Sequence, residues 1–420
     1  MNTYQYDVNA VKHDKTSSVG LAVSHCLYSI IDIFVSSFLI AYIYSLTNGM
    51  YQYIFKVAIF QISGYVSLLV FYHIFSAILD KTNRVLLYRI GCVVKSCLVI
   101  FLVFFGKNVA EMVLLAGLLN GVATAGYYSG YNVIRQEMVS RKKLKSFIVY
   151  LTAILQSVNI VFPILIGALI DISTYSMVAI YVLILSLIQI GITFLIKSKK
   201  PANSSYSIKD YLKRLKSKPK LYAKMKQVYL IVFLYGFNAL IGTIISVSVM
   251  LQFGTNFSLG AISSVVAVVQ IVVLLIFNKF TVEGKRFPTF IIAALLPVVG
   301  AVVFIVMPNY VTLILFNVLN SIAGAVFGCV FEVIRNRDLK ENNMYDDIAE
   351  HQSVGETVLD LARIISYVLF LVVGLLQNIV LFNIVLIMSV VIYAINIILV
   401  AIFEHKYQKE KIENNMENNK

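Results

Sequence analysis

The sequence predicts an all-α polytopic membrane protein whose twelve transmembrane helices form two six-helix bundles. Three observations carry that expectation. Hydrophobic residues make up 59% of the 420-residue chain and charged residues 13%, against roughly 25% charged in an ordinary globular protein, and mean hydropathy is +0.84. Continuous apolar runs long enough to cross a bilayer recur along the chain, and one long basic connection divides them six and six. A soluble core stops growing at about 250–300 residues, so this much apolar surface needs lipid. Secreted and nucleic-acid-binding readings are excluded.

A spanning helix takes about 20 mainly apolar residues. Spans 1 to 6 are read at 18–45, 52–79, 85–106, 109–134, 147–170 and 175–196, and spans 7 to 12 at 227–252, 258–278, 288–307, 309–333, 352–376 and 379–403. The runs do not alternate in short segments, which argues against strands. A polar stretch precedes span 1, which is too long for the apolar part of a signal peptide. Cys26, Cys92, Cys97 and Cys329 all fall inside apolar runs without metal spacing, so neither disulfides nor a metal centre is expected. No cofactor is expected either.

Orientation follows from the basic residues, which give a net charge of +14. With the N-terminus in the cytoplasm, all of the 35 Lys and Arg except Lys56, Lys95, Lys107 and Arg363 fall in or beside the cytoplasmic connections and tails. That bias sets topology, and an even number of spans agrees, with both termini cytoplasmic. The chain is expected in a bacterial plasma membrane, as a monomer, with the lipid bilayer and a small-molecule substrate as partners and no nucleic acid.

The connection 197–226 carries eleven Lys or Arg. Ser207 is placed to cap a short helix whose Ile208, Tyr211, Leu212 and Leu215 share one face. Such a helix either lies on the anionic inner leaflet or belongs to a solvated linker. The expected organisation is a first bundle at 1–196, the linker at 197–226, a second bundle at 227–403 and a cytoplasmic tail at 404–420.

The halves echo one another. Fragments 117–136 and 317–336 share Leu119/Leu319, Asn120/Asn320, Ala123/Ala323, Ala125/Ala325, Val133/Val333, Ile134/Ile334 and Arg135/Arg335 without a gap. These are the fourth spans of the two halves, which points to a parallel repeat about an axis along the membrane normal. The turn Asp80-Lys81-Thr82-Asn83-Arg84 after span 2 has a counterpart in Glu283-Gly284-Lys285-Arg286 after span 8. At these residues the chain resembles the major facilitator superfamily of twelve-helix permeases. That family's signature here is a Gly, an Asp four residues on, a basic residue and Gly-Arg. Asp80, Lys81 and Arg84 match; Ser76 and Asn83 replace the glycines, Asn being tolerant of the left-handed conformation. The resemblance implies that Asp80 and Arg84 latch the bundles on the cytoplasmic side in the outward-facing state. The proton-linked Arg of span 4 is absent, Gly117 and Leu118 standing there. Of the antiporter signature in span 5 only Pro163 and Gly167 remain.

Charges within spans cost from about 2.5 kcal/mol upward, so each one marks a site. Span 1 aligns His25, Tyr28, Asp32 and Ser36 on one face. Asp32 either carries a proton or meets a cationic substrate, or forms a static pair with Lys95 or Arg363. Span 11 aligns Gln352, Glu356, Asp360, Arg363 and Tyr367; Asp360 and Arg363 can pair within the helix, and Arg363 can bind an anionic group bidentately. Span 4 presents Asn120, Thr124, Tyr127 and Tyr131, span 5 Gln156 and Asn159, and span 7 Tyr235 and Asn238. The resemblance implies that these faces converge on a central cavity, with Asn320 and Gln270 added. Gly117–Gly121 and Gly126–Gly130 are read as helix-packing surfaces.

The expectation is a secondary active transporter of a small organic solute working by alternating access, with protons as the first candidate for coupling. The alternative is a lipid-linked saccharide or multidrug flippase or exporter of another twelve-helix family. No Walker-type phosphate loop occurs, and the scattered histidines argue against an intramembrane enzyme.

Overall fold

A computed structural model describes residues 15–79, 82–138, 141–197, 206–280, 287–341 and 347–418. Among these residues the chain is helical, without strands. The first half comprises α1 (Lys15–Ile33), a π-helical turn (Phe34–Phe38), α2 (Leu39–Ser45), α3 (Met50–Leu79), α4 (Arg84–Phe105), α5 (Val113–Met138), α6 (Arg141–Ile172) and α7 (Tyr175–Thr193). A short α8 (Ile208–Lys216) follows. The second half comprises α9 (Pro219–Gly236), α10 (Asn238–Phe253), α11 (Asn256–Phe280), α12 (Phe287–Val306), α13 (Tyr310–Glu341), α14 (Ile348–Leu376) and α15 (Ile379–Asn418).

Eleven helical segments among the described residues are long and apolar enough to cross a membrane. The twelfth expected span is α5, whose apolarity is diluted by Asn120, Thr124, three tyrosines and four glycines. Those glycines explain its place. A Cβ on Gly117 would lie 2.3 Å from the Phe60 carbonyl oxygen, and one on Gly121 2.2 Å from that of Gly64, so this face of α5 lies directly on α3. Gly126 and Gly130 meet Gly91 and Tyr88 of α4 in the same way. Both four-residue glycine pairs are therefore packing surfaces, one for each neighbour.

The two halves repeat one another's neighbours. In the first, α5 packs on α3 and α4, α4 on α7, and α1 on α6; in the second, α13 packs on α11 and α12, α12 on α15, and α9 on α14. The halves join through α3 against α14, α6 against α11 and α2 against α10. Among the described residues, the glycines that bring backbones of the two halves together lie at the end remote from the chain termini. Gly374 abuts Phe55, Gly167 abuts Asn256, and Gly260 abuts the Pro163 carbonyl.

Helix ends follow ordinary chemistry. Thr174 and Ser207 cap α7 and α8 through their hydroxyls, and Gly254 closes α10 in the left-handed region at φ 69°. Asn83 does not take the left-handed conformation expected of it. Its backbone is extended at φ −67°, and its side chain caps α4 by accepting from Val85 N at 3.0 Å. An N-cap uses the side-chain oxygen that glycine lacks.

The linker helix α8 lies neither free in solvent nor with its apolar face on the leaflet. Tyr211 and Leu215 are buried against Leu221 and Met225, with Tyr229 and Val354 closing over them, while Lys209, Lys213, Arg214 and Lys216 stay exposed. Arg214 pairs with Asp347, and Ser207 N donates to Glu350 at 3.2 Å. Burial pushes the Tyr211 hydroxyl up to about 12. His351 Nε2 donates to the Arg335 carbonyl at 2.9 Å, since a carbonyl only accepts. Its Nδ1 then accepts from Tyr229 at 2.9 Å.

Candidate functional site

The first spans of both halves are irregular at mid-depth. In the first half the π turn begins two residues after Asp32, and Ser36 Oγ donates to the Asp32 carbonyl at 2.5 Å. In the second, the helix breaks at Phe237 between α9 and α10, beside Asn238. Single π turns inside helices often mark functional sites, and both irregularities here adjoin a polar side chain.

Asp32 Oδ1 accepts from Lys95 Nζ at 2.6 Å, and Lys95 also donates to Asn120 Oδ1 at 2.7 Å. Of the two ways to pair Asp32 across helices, the structure forms the one with Lys95. The ammonium is 0% exposed, whereas the Asp32 side chain is 39% exposed. Burying a charge is costly unless it is paired, and here the lysine is spent on two acceptors while the aspartate is presented. The Thr124 hydroxyl donates to the Asn120 carbonyl at 2.7 Å, holding the same turn of α5.

The second half reverses the arrangement. Arg363 Nη1 donates to Asp360 Oδ1 at 2.8 Å, and now the acid is 0% exposed and the base 21% exposed. Asp360 Oδ2 and Arg363 Nε have no partner among the described residues. The guanidinium lies 5.0 Å over the Tyr65 ring, which stacks on Tyr367 with centroids 5.6 Å apart. Gly236 permits the approach of α9 to this turn, because a Cβ there would lie 2.7 Å from the Leu359 carbonyl oxygen.

Tyr65 of α3 and Tyr128 of α5 join the two pairs. Each lies within electrostatic reach of both Asp32 and Arg363, the accessible members of their two pairs. Toward the chain termini Arg335 pairs with Glu356 at 2.7 Å and donates to Gln352 at 2.8 Å. On α3, His73 Nε2 meets Thr357 Oγ1 at 2.7 Å, a direct bond between halves.

Among the other expected residues, Tyr28 adjoins this layer, with the Lys95 ammonium 5.3 Å from its ring centroid. His25, Tyr28 and Tyr127 are brought together, but as a buried stack inside the first half. Tyr28 and Tyr127 have centroids 3.5 Å apart, and His25 Nδ1 lies 2.6 Å from Tyr127 Oη. Tyr235 packs on Phe327 and Phe331. Asn238 and Asn320 each keep a buried amide oxygen without a protein donor among the described residues, as does Gln156. Asn159 is exposed and bonds to none of these groups. Gln270 is half-buried. Asp80 and Lys81 lie outside the described residues; Arg84 opens α4. Tyr65 and Tyr128 were not singled out from the sequence.

Two six-helix halves meeting around a charged mid-membrane layer define a multi-pass membrane transporter. The chain belongs to the Major Facilitator Superfamily, whose sequence profile matches residues 18–336. Membership sets aside a flippase of another twelve-helix family. No protein of curated function matches the chain in sequence. Solved structures share its fold at low identity. A bacterial homologue of the iron transporter ferroportin, in an inward-facing state, is 13% identical with a TM-score of 0.66, covering 93% of this chain and 98% of its own. A D-xylose–proton symporter is 12% identical with a TM-score of 0.62, over 93% and 96%. The human organic anion transporter MFSD10 (TETRAN) is 12% identical with a TM-score of 0.62, over 92% and 98%.

Proposed function

We propose that the chain is a secondary active transporter that carries a small organic solute by alternating access, driven by a proton gradient. The observation behind this reading is the pair of reversed ion pairs, Lys95–Asp32 and Asp360–Arg363, each burying one member and leaving the other accessible. A rocking motion of one half against the other exposes such a site to each side in turn. Ion-pair energies of a few kcal/mol are enough to bias a two-state equilibrium.

Asp360 is the proton candidate. Asp32 is held against a fully buried cation whose only other acceptor among the described residues is Asn120. Asp360 is buried with one oxygen unpartnered, held by a single guanidinium bond. The charged or titratable groups around it are Arg363 and Glu356 of α14, Arg335 of α13 and Tyr65 of α3; α9 contributes backbone at Gly236. Neutralising Asp360 weakens its hold on Arg363 beside the α3–α14 junction, which couples protonation to the contact between halves.

The Lys and Arg distribution supports cytoplasmic termini; a bacterial plasma membrane is kept as the proposed location, and Asp80 with Arg84 as a latch on the cytoplasmic side. The test is reconstitution into liposomes with an imposed pH gradient, following solutes from a metabolite pool by mass spectrometry. Accumulation that collapses with the gradient, and that loses its dependence on the gradient in Asp360→Asn, is the expected result. Equal distribution of every solute with and without the gradient would overturn the reading.

A further inference from the structure

The two ion pairs are reversed in a way that bears on what the site can hold. In the first half the cation is hidden. Lys95 is fully buried and spent on Asp32 and Asn120, while Asp32 has one oxygen on Lys95 and a second that no protein donor reaches among the described residues. In the second half the anion is hidden. Asp360 is fully buried, while Arg363 has Nη1 on Asp360 and Nε without an acceptor. Each half thus offers one unspent polar edge, and the two edges carry opposite signs.

Charge balance narrows the ligand. With no proton on Asp360, Lys95 and Arg363 against Asp32 and Asp360 leave the layer neutral. A monovalent cation or anion entering it adds an uncompensated charge to a medium where such a charge is expensive. A ligand with one charge of each sign adds none. The open side of a guanidinium matches a carboxylate in a planar fork, and the free oxygen of Asp32 accepts from an ammonium. Tyr65 and Tyr128 are within electrostatic reach of both charges, and the Tyr65 ring lies 5.0 Å under the Arg363 guanidinium.

We propose that the site takes a zwitterionic amino-acid-like solute, its ammonium on Asp32 and its carboxylate on Arg363. Lys95 and Asp360 are positioning residues that hold those two side chains and keep the empty layer neutral. The proposal rests on the transport reading above and names its substrate class.

The test uses the purified full-length chain and a panel of the common L-amino acids, simple dipeptides and glycine betaine, with thermal stabilisation as readout. Each binder is compared with its decarboxylated amine and its deaminated acid. The expected result is at least one zwitterion whose amine and acid bind about tenfold or more weakly, the loss anticipated when a charge-assisted contact goes. Asp32→Asn then weakens the zwitterion and leaves the deaminated acid unchanged, and Arg363→Gln does the converse with the amine. An amine or acid that binds as tightly as its zwitterion overturns the proposal, as does silence from the whole panel. The wild-type series decides the matter should either variant fail to fold. A solute of another class moving down a pH gradient in liposomes would keep the transport reading while this proposal falls. Movement of no solute at all would remove both.

Discussion

The ammonium of Lys95 lies 2.6 Å from Asp32 Oδ1 and, apart from Asn120, has no other hydrogen-bond acceptor among the described residues. The two members of this pair are unequally dispensable. Asp32→Ala leaves a fully buried cation with one neutral acceptor, and the expected cost approaches the 3–5 kcal/mol of a broken buried pair. Lys95→Met leaves a carboxylate that is 39% exposed rather than fully buried and fills the space with a similar apolar chain, so its cost is expected to be smaller than that of Asp32→Ala. The double variant recovers most of the loss. Thermal denaturation followed by size-exclusion chromatography measures all three.

Much of the site was legible because charge inside an apolar run is conspicuous. Asp32, Asp360 and Arg363 stand out for that reason, and the i, i+3 spacing of the last two already places them in contact. The pairing of Asp32 with Lys95 rather than Arg363 was not legible, since it depends on how α1, α4 and α14 are rotated about their axes. Tyr65 and Tyr128 were hidden among 26 tyrosines, where one aromatic ring in an apolar helix reads as packing. Asn159, three residues from Gln156, is exposed and bonds to none of the charged groups, a placement that helical spacing alone does not fix. The glycine spacing of α5 carried its meaning directly, because a missing Cβ is a statement about backbone distance.

That distance is testable at Gly91. A Cβ there would lie 2.2 Å from Tyr127 N, a backbone atom that cannot move aside. Gly91→Ala is expected to destabilise by about 1–3 kcal/mol through forced separation of α4 and α5. Gly191→Ala in α7 meets nothing within 4 Å, and there the gain in helix propensity, up to about 1 kcal/mol, should prevail. Melting temperatures moving in opposite directions would bear this out.

At the end remote from the termini, Asp171 of α6 caps a helix belonging to the other half. Its oxygens accept from Asn256 Nδ2 at 2.8 Å and Phe257 N at 2.8 Å, at the start of α11. A carboxylate there also meets the positive end of the helix dipole. Asp171→Ala should weaken closure of that end by about 0.5–2 kcal/mol, enough to shift an open-to-closed ratio by about twofold to thirtyfold. Labelling of Ile170→Cys, a buried position beside Asp171, would rise accordingly; an unchanged rate would remove Asp171 from the closure.

The linker offers a contrast between packing and charge. Tyr211→Ala empties a buried position between α8, α9 and α14, and should cost about 3–5 kcal/mol locally, loosening the helix and exposing Lys209 and Lys213 to trypsin. Arg214→Ala removes an ion pair whose arginine is 52% exposed, and its effect on cleavage should be within about 1 kcal/mol of none. Greater protease sensitivity of Arg214→Ala than of Tyr211→Ala would show that the ion pair, not the aromatic anchor, holds the linker down.

The last helix reaches beyond anything the bilayer requires. Residues 379–418 form 40 residues of continuous helix, about 60 Å at 1.5 Å per residue, while the hydrocarbon layer is about 30 Å thick. Lys224 at the base of α9 is tied to Glu410 at 2.8 Å, so the protruding stretch is braced to the half from which it grows. A stiff rod fixed at one end magnifies angle into displacement. When the second half tilts by about 10°, a point 60 Å along such a rod sweeps about 10 Å, and a fluorophore at its tip would register each swing of the machine from outside the membrane.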